Sequence, residues 1–249
     1  MNLDRTVAVV LAGGLGSRIQ ALYANLPKPM IPVNGRPFLE WVLRYLRREG
    51  IRCVVVSCGY KADVIRRYFA ASPVEGMAIQ TWAEPEPRGT AGGFLEAMGQ
   101  SEHEADSWLV LNGDSLVVAA LGSLYRLLES PHVQGALVGV NVPDTSRYGR
   151  VVSDSTGRLL HFEEKQPGQG TINAGVYLFR SSVLDLFPKV RPLSFETQVF
   201  PSLLAAGADL RVCSISAPFL DIGTPDSVAQ AEDFVRGHCL NLWECPWLS

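Results

Sequence analysis

Several features that mark other protein classes are missing from the sequence. None of the five cysteines lies in a CxxC pair, and an odd count does not suit a secreted disulfide framework, so neither a zinc site nor a disulfide scaffold is expected. Hydrophobic runs stay well below the ~20 apolar residues of a membrane span. The short apolar run near the N-terminus ends in glycines, which does not suit a signal peptide. We therefore expect a soluble, cytoplasmic chain.

An excess of charge of one sign is also missing. The 249 residues carry a formal net charge of −3, which gives no general attraction to nucleic acid or to an anionic membrane surface. We expect neither as a partner, and any bound anion must be held by a few placed residues. The hydrophobic fraction of 47% is ordinary for a globular protein and is enough for a sizeable core.

The two best-known phosphate-binding patterns are absent, yet the chain begins with an apolar strand that leads into a glycine turn. There is no GxxxxGK[ST], and Ile19 stands where GxGxxG needs its last glycine. Glycines let the backbone approach an anion closely, and N–H groups at such turns and at helix starts bind phosphate. Arg18 and Lys28 add two cationic side chains. This segment predicts a polyphosphate site.

Strand and helix patterns alternate through the first half of the chain. The strands are apolar throughout, which favours a mainly parallel, mixed sheet covered by helices on both faces. Predicted strands occupy 7–12, 53–57, 79–82, 108–112, 135–142, 149–153, 159–163, 172–179, 210–216 and 219–222. Predicted helices occupy 37–50, 62–70, 92–98, 181–187, 195–206 and 225–235.

These patterns predict one α/β domain over residues 1–235. Its first part, about 1–130, is the nucleotide-binding half, and about 131–235 is the half that binds a second substrate. Residues 236–249 form an apolar tail, and we expect it to pack against the body or at a subunit interface.

Seven segments of the chain match the motifs of one known family in the same order. They are LAGGLGSR with PKPM, EPEPRGTAGG at 84–93, LNGD at 111–114, RYGRV at 147–151, FEEK at 162–165, NAGVY at 173–177 and LDIGTP at 220–225. The chain thereby resembles the sugar-phosphate nucleotidyltransferases, with Ser17 where threonine is common. The resemblance implies a Rossmann-like nucleotidyltransferase domain. It also implies Mg²⁺-dependent transfer of a nucleoside monophosphate from an NTP to a sugar 1-phosphate, with release of pyrophosphate.

The resemblance assigns a first group of residues to the nucleotide. Arg18 is expected to stabilise the leaving pyrophosphate, and Lys28 the region of the α-phosphate. Glu84 favours GTP, because a carboxylate accepts from both N1–H and the N2 amino group of guanine, whereas uracil and thymine present one N–H between two carbonyls. Arg88 stands where relatives often have an apolar residue and has no assigned role. The nucleotide group comprises Leu11, Ala12, Gly13, Gly14, Gly16, Ser17, Glu84, Gly89 and Thr90.

A second group is assigned to the sugar phosphate and the metal. Lys165 is the third catalytic residue and orients the attacking phosphate. Asp114 and Asp221 each follow an apolar segment, and carboxylates beyond the carboxyl ends of strands either hold a cation or cap a helix. Mg²⁺ takes one or two protein oxygens plus substrate phosphates, and the resemblance makes both aspartates its ligands. The sugar-phosphate group comprises Asn112, Tyr148, Gly149, Glu164, Lys165, Asn173, Gly175 and Glu196.

Within the family, the motifs are most similar to the short guanylyltransferases that act on mannose- or heptose-type 1-phosphates. We expect GTP, D-glycero-α-D-manno-heptose 1-phosphate, a homodimer and a role in bacterial surface polysaccharide synthesis. The alternatives are a mannose-1-phosphate guanylyltransferase, a uridylyl- or thymidylyltransferase acting on glucose 1-phosphate, and an inactive nucleotide-binding regulatory subunit. A set of retained residues argues against the last: Arg18, Lys28, Asp114, Lys165 and Asp221.

Overall fold

A nine-stranded mixed sheet forms the centre of the fold in the computed structural model, which describes residues 3–14, 16, 18, 19, 22–163 and 165–240. The strands are β1 (Thr6–Ala12), β2 (Pro32–Val33), β3 (Arg36–Pro37), β4 (Cys53–Cys58), β5 (Ala78–Ala83), β6 (Ser107–Asn112), β7 (Ser115–Val117), β8 (Val133–Val142), β9 (Arg150–Ser153), β10 (Leu159–Glu163), β11 (Gly170–Arg180), β12 (Asp209–Ile215) and β13 (Phe219–Asp221). The helices are α1 (Phe38–Arg48), α2 (Ala62–Ala71), α3 (Thr90–Gly99), α4 (Gly122–Leu127), α5 (Phe200–Ala205) and α6 (Pro225–His238).

The main sheet runs in the order β12-β8-β11-β6-β1-β4-β5, with β9 and β10 attached beside β11. β1 lies in parallel between β4 and β6, so that Val9 faces Val55 on one side and Val110 on the other. β11 is antiparallel to both β6 and β8. The prediction of a mainly parallel mixed sheet is confirmed. The later parallel strands lie on opposite sides of β1, with β4 and β5 on one side and β6 on the other. A crevice therefore forms at the carboxyl ends of the central strands, where α/β proteins bind ligands.

Both faces of the sheet are buried, which explains why its strands are apolar at consecutive positions. Val10 and Val56 point into the core under α1, where Trp41 is buried. Val9 points to the opposite face and packs in a second core with Phe94 of α3. The prediction of helices on both faces is therefore also confirmed.

The predicted helices of the second half are only partly correct. The segment predicted as a helix at 181–187 is a 3-10 helix, Ser181–Leu186. The helix predicted at 195–206 starts with a π turn, Phe195–Val199, and only its second part is α5. There the N–H of Phe200 bonds to the carbonyl of Phe195, five residues back, and the next residue, Pro201, has no N–H to donate. Among the strands and α-helices of the structure, β2, β3, β7 and α4 were not predicted.

The sheet continues across the two predicted halves, because β11 pairs directly with β6. The exact division of the domain stays a prediction. The helix α6 extends to His238, three residues into the predicted tail, and residues 241–249 lie outside the described part of the chain. In the described part, no helix has the length and apolar character needed to cross a bilayer.

A cluster of aromatic rings fills the second core, and we predict that it contributes strongly to stability. Phe179 is 0% exposed and stacks on Phe195, with ring centroids 5.8 Å apart and planes 8° from parallel. Phe179→Ala should lower the free energy of unfolding by about 3–5 kcal/mol, because it removes buried surface and leaves a cavity. Leu160→Ala is the control, since Leu160 is 48% exposed, and it should cost about 0.5 kcal/mol or less. Urea unfolding measures both, and equal losses would contradict the assignment of this core.

Candidate active site

The glycine turn follows β1 at the crevice, and neighbouring backbone segments approach it closely. A Cβ atom on Gly13 would lie 2.8 Å from Oε1 of Glu84. A Cβ on Gly59, which follows β4, would collide with the carbonyl group of Gly13. Glycine is therefore required on both sides of this contact. Gly16 has a left-handed φ of 61° and Arg18 is exposed, whereas Ser17 lies outside the described residues.

A cavity of about 490 Å³ lies between the glycine turn and the loop that precedes α3. Its walls also contain Asn112 and Asp114 of the second group. Six of the predicted nucleotide residues line it: Leu11, Gly13, Gly14, Glu84, Gly89 and Thr90. Ala12 of the nucleotide group is buried at the end of β1. The sequence analysis missed the contribution of Gly59 and Tyr60 to the same walls. A glycine directly after a parallel strand next to β1 was the signal that could have found them.

Glu84 is half-buried at one end of this cavity. Its Oε1 accepts a hydrogen bond of 2.6 Å from the hydroxyl of Ser57. A Cβ on Gly93 would lie 2.6 Å from Oε1, so a glycine in α3 makes room for the carboxylate. Burial raises the pKa of Glu84, the hydrogen bond from Ser57 opposes that rise, and the negative charge of Glu96 adds to it.

Lys28 lies between the two predicted metal ligands. Its Nζ is 2.5 Å from Oδ2 of Asp114 and 3.7 Å from Oδ2 of Asp221. The pairing of β7 with β13 sets Asp221 opposite Ser115 and so brings the two carboxylates together. Asp114 lies beyond the end of β6, which stops at Asn112 as predicted, in the turn that leads into β7.

The two aspartates are suited to a divalent cation such as Mg²⁺. Their carboxylates already converge on one cationic group, the ammonium of Lys28. In the described part of the chain there is no group of three or more His, Cys, Asp or Glu residues that could hold a metal. A hard cation at this place would therefore take its remaining ligands from substrate phosphates and water, as Mg²⁺ commonly does.

Among the residues predicted to bind the sugar phosphate, a hydrogen-bonded group joins β11 to the π turn. Tyr177 donates its hydroxyl hydrogen to Oε1 of Glu196 at 2.8 Å, and Nδ2 of Asn173 donates to the Tyr177 oxygen at 2.8 Å. Oδ1 of Asn173 accepts from the N–H of Gly175 at 3.0 Å. Burial and the neighbouring Glu196 raise the pKa of Tyr177. Three residues of the predicted sugar-phosphate group are thus brought together, and Tyr177, seen only as part of a motif, orients two of them.

Two further members of the predicted sugar-phosphate group contact β13 and β11. The ring of Tyr148 packs edge-on against Phe219 at 5.6 Å. Burial raises the pKa of Tyr148, the charge of Arg147 opposes this rise, and the charge of Asp221 adds to it. The carbonyl of Gly149 accepts from the N–H of Asn173 at 3.2 Å. Lys165 is exposed shortly after β10, and Glu164 lies outside the described residues. The roles of these residues stay predictions.

Gly175 is in close contact with Asn112, another member of the predicted sugar-phosphate group, and this contact gives a test of the geometry. Its φ is 69°, and a Cβ there would collide with the side chain of Asn112. Gly207 has a φ of 79°, but a Cβ atom on it would meet no heavy atom of the described chain within 4 Å. Gly207→Ala should therefore cost only the left-handed strain, about 1–2 kcal/mol. Gly175→Ala should cost about 1–3 kcal/mol more. Equal losses in chemical unfolding would show that Asn112 moves aside freely.

Comparison with known proteins places the whole arrangement in one family. Residues 7–237 match the nucleotidyl transferase family. The chain is 37% identical over 241 residues to a mannose-1-phosphate guanylyltransferase of Mycobacterium tuberculosis, a match that covers 95% of this chain and 65% of that relative. It is 37% identical over 220 residues to a D-glycero-alpha-D-manno-heptose 1-phosphate guanylyltransferase of Campylobacter jejuni, covering 88% of this chain and 95% of the relative.

A solved structure gives the same result at the level of the fold. HddC from Yersinia pseudotuberculosis, crystallised in complex with GMP-PN, superposes with a TM-score of 0.80 at 29% identity. The superposition covers 91% of this chain and 98% of HddC. The resemblance inferred from the seven motifs is confirmed, and the chain belongs to the nucleotidyl transferase family.

Proposed function

We propose that this chain transfers GMP from GTP to a sugar 1-phosphate, D-glycero-α-D-manno-heptose 1-phosphate, giving the GDP-sugar and pyrophosphate. One observation carries the proposal: a single cavity has Glu84 and the glycine turn in its walls and reaches Asp114, which contacts Lys28. The carboxylate that we assign to the base and the cluster that we assign to the cation thus lie at one cavity. The guanylyltransferase names of the two relatives at 37% identity support the same reaction.

The reaction requires charge neutralisation more than proton transfer. An oxygen of the sugar 1-phosphate attacks the α-phosphorus in line, and the bond from that phosphorus to the bridging oxygen breaks as pyrophosphate leaves. The attacking phosphate is already ionised at neutral pH, so no general base is needed. Catalysis of this kind rests on positioning and on electrostatic stabilisation. We assign the leaving pyrophosphate to Arg18, the α-phosphate to Lys28 and the orientation of the nucleophile to Lys165.

Magnesium is part of the proposal. Asp114 and Asp221 would hold it, and when bound it neutralises charge at the phosphates of the nucleotide. The carboxylate oxygens are the hard donors that Mg²⁺ prefers. The ammonium of Lys28 lies between the same carboxylates, so it keeps them close together and offsets part of their mutual repulsion.

The sugar has a second candidate. Mannose 1-phosphate is favoured by the mycobacterial mannose-1-phosphate guanylyltransferase, whose identity to this chain is also 37%. An inactive regulatory subunit is a weaker candidate, because the contact of Lys28 with both aspartates keeps a cluster that nucleotide binding alone does not require. The homodimer, the cytoplasmic location and the role in surface polysaccharide synthesis stay predictions.

The base preference is tested by a pyrophosphate-release assay with four NTPs, each offered with heptose, mannose and glucose 1-phosphates. The wild type should use GTP with the heptose 1-phosphate best. Glu84→Gln should lower kcat/KM for GTP by about tenfold or more, since a charge-assisted hydrogen bond is replaced by a mismatched amide. Its kcat/KM for UTP should change little. An unchanged ratio of GTP to UTP would remove Glu84 from base selection.

The pH dependence gives a second readout of the same residue. The pKa of Glu84 is raised, so its carboxylate takes up a proton at a higher pH than an ordinary glutamate. Since only the ionised form accepts both hydrogens of guanine, the preference for GTP should decline as the pH falls through this raised pKa. The Glu84→Gln variant has no group to titrate there and should lack that decline.

Lys165 is tested by separating the two substrates. Lys165→Ala should raise KM for the sugar 1-phosphate by about tenfold or more, the typical effect of losing a hydrogen bond to a charged group. KM for the NTP should stay within about twofold. Lys189→Ala is the matched control, because Lys189 is also an exposed lysine of the second half. Equal weakening of both substrates by Lys165→Ala would contradict the assigned role.

A further inference from the structure

Arg88 has no assigned role from the sequence, yet it links the loop beside the cavity to a helix. Its Nε lies 2.9 Å from Oε1 of Glu96 on α3, and its Nη2 lies 2.7 Å from Oε1 of Glu86. Its side chain is only 27% exposed and that of Glu96 only 23%. Such a half-buried ion pair is screened less by solvent than an exposed one, and it anchors the loop to α3.

The backbone of Arg88 is held as firmly as its side chain. Its carbonyl accepts a hydrogen bond of 2.7 Å from the N–H of Leu193. Its Cβ lies so close to Gly92 that a Cβ there would be 2.8 Å away. The loop of residues 85–89, which Arg88 anchors, follows Glu84 directly, and Glu84 and Arg88 line the same cavity. The residue therefore connects α3 with the loop beside the Glu84 carboxylate.

We propose that Arg88 is a positioning residue for base selection: its ion pairs with Glu86 and Glu96 hold the loop that follows Glu84 against α3 and so fix the orientation of the Glu84 carboxylate toward guanine. The inference rests on the proposed role of Glu84 as the residue that reads the base.

The hydrogen-bonding capacity of the carboxylate explains why this orientation matters. An ionised carboxylate offers about four acceptor positions. The hydroxyl of Ser57 uses one of them, and two of the others are available for N1–H and the N2 amino group of guanine. A carboxylate that shifts with an unanchored loop no longer presents these two positions to the base together.

Charge changes in opposite directions in the two variants. Glu96 is near enough to Glu84 for its negative charge to raise the pKa of that carboxyl, and the positive charge of Arg88 opposes the effect. Ser57 and Cys58 of β4, also beside Glu84, are uncharged. Loss of Arg88 therefore raises the pKa of Glu84 further, whereas loss of the charge of Glu96 lowers it. A loss of base selection that both variants share is thus an effect of position and not of ionisation.

The test compares GTP with ITP, which lacks only the 2-amino group. In the wild type, kcat/KM for GTP should exceed that for ITP by about tenfold, the typical value of a hydrogen bond to a charged acceptor. Arg88→Met and Glu96→Gln should each reduce this ratio by about threefold or more, and the double variant should show no further reduction, because both changes break one ion pair. Arg66→Met, which breaks an exposed ion pair with Asp63 on α2, is the control and should leave the ratio unchanged.

The outcomes separate the two levels of the proposal. If Glu84→Gln lowers the ratio and neither Arg88→Met nor Glu96→Gln does, the role of Arg88 is refuted and that of Glu84 stands. If Glu84→Gln also leaves the ratio unchanged, the proposed base reading itself fails. Equal losses for GTP and ITP in Arg88→Met would show a purely structural role and overturn the inference. Where Arg88→Met does not fold in a thermal unfolding control, Glu96→Gln carries the test.

Discussion

The contact of Lys28 with Asp114 and Asp221 is the interaction on which the proposed site depends most. It joins three segments that are far apart in the chain: the turn after the glycine loop, the turn between β6 and β7, and the end of β13. Two carboxylates at this distance repel each other unless a cation lies between them. The ammonium of Lys28 supplies that cation. One side chain thus holds together the residues that we propose for the metal and for the phosphates.

The rest of the crevice depends on glycines that follow the central strands and face them from α3. β1 lies between β4 and β6, and the residues that follow β1 and β4 are glycines whose backbones touch. Glycine at 93 in α3 likewise leaves room for Glu84. Side chains at these positions would collide with the carbonyl group of Gly13 or with the carboxylate of Glu84. The close packing of these segments beside the cavity, and the position of Glu84, thus depend on glycine.

Much of this was predictable from the sequence, and what was missed has a common physical cause. Strands such as β1 and β4 are apolar at nearly every position because both faces are covered, so their pattern can be recognised from the local sequence. β7 has only three residues and is stabilised by pairing with distant β13, which leaves no local pattern. The convergence of Asp114 and Asp221 follows from that pairing and was inferred from resemblance alone. Arg88 looks like part of a solvated charged run until its partner on α3 is seen.

The balance of charge around the cavity explains how a chain with a net charge of −3 can be suited to a polyanion. The acidic groups at the cavity already have partners: Asp114 contacts Lys28, Glu84 accepts from Ser57, and Glu86 pairs with the side chain of Arg88. Their negative charges are therefore partly offset before a ligand arrives. Exposed Arg18 and the N–H groups of the glycine turn are the groups that we propose for the phosphates. We therefore attribute the proposed nucleotide binding to local pairing rather than to overall charge, and the proposed role of Arg88 and Glu96 in base selection follows the same principle.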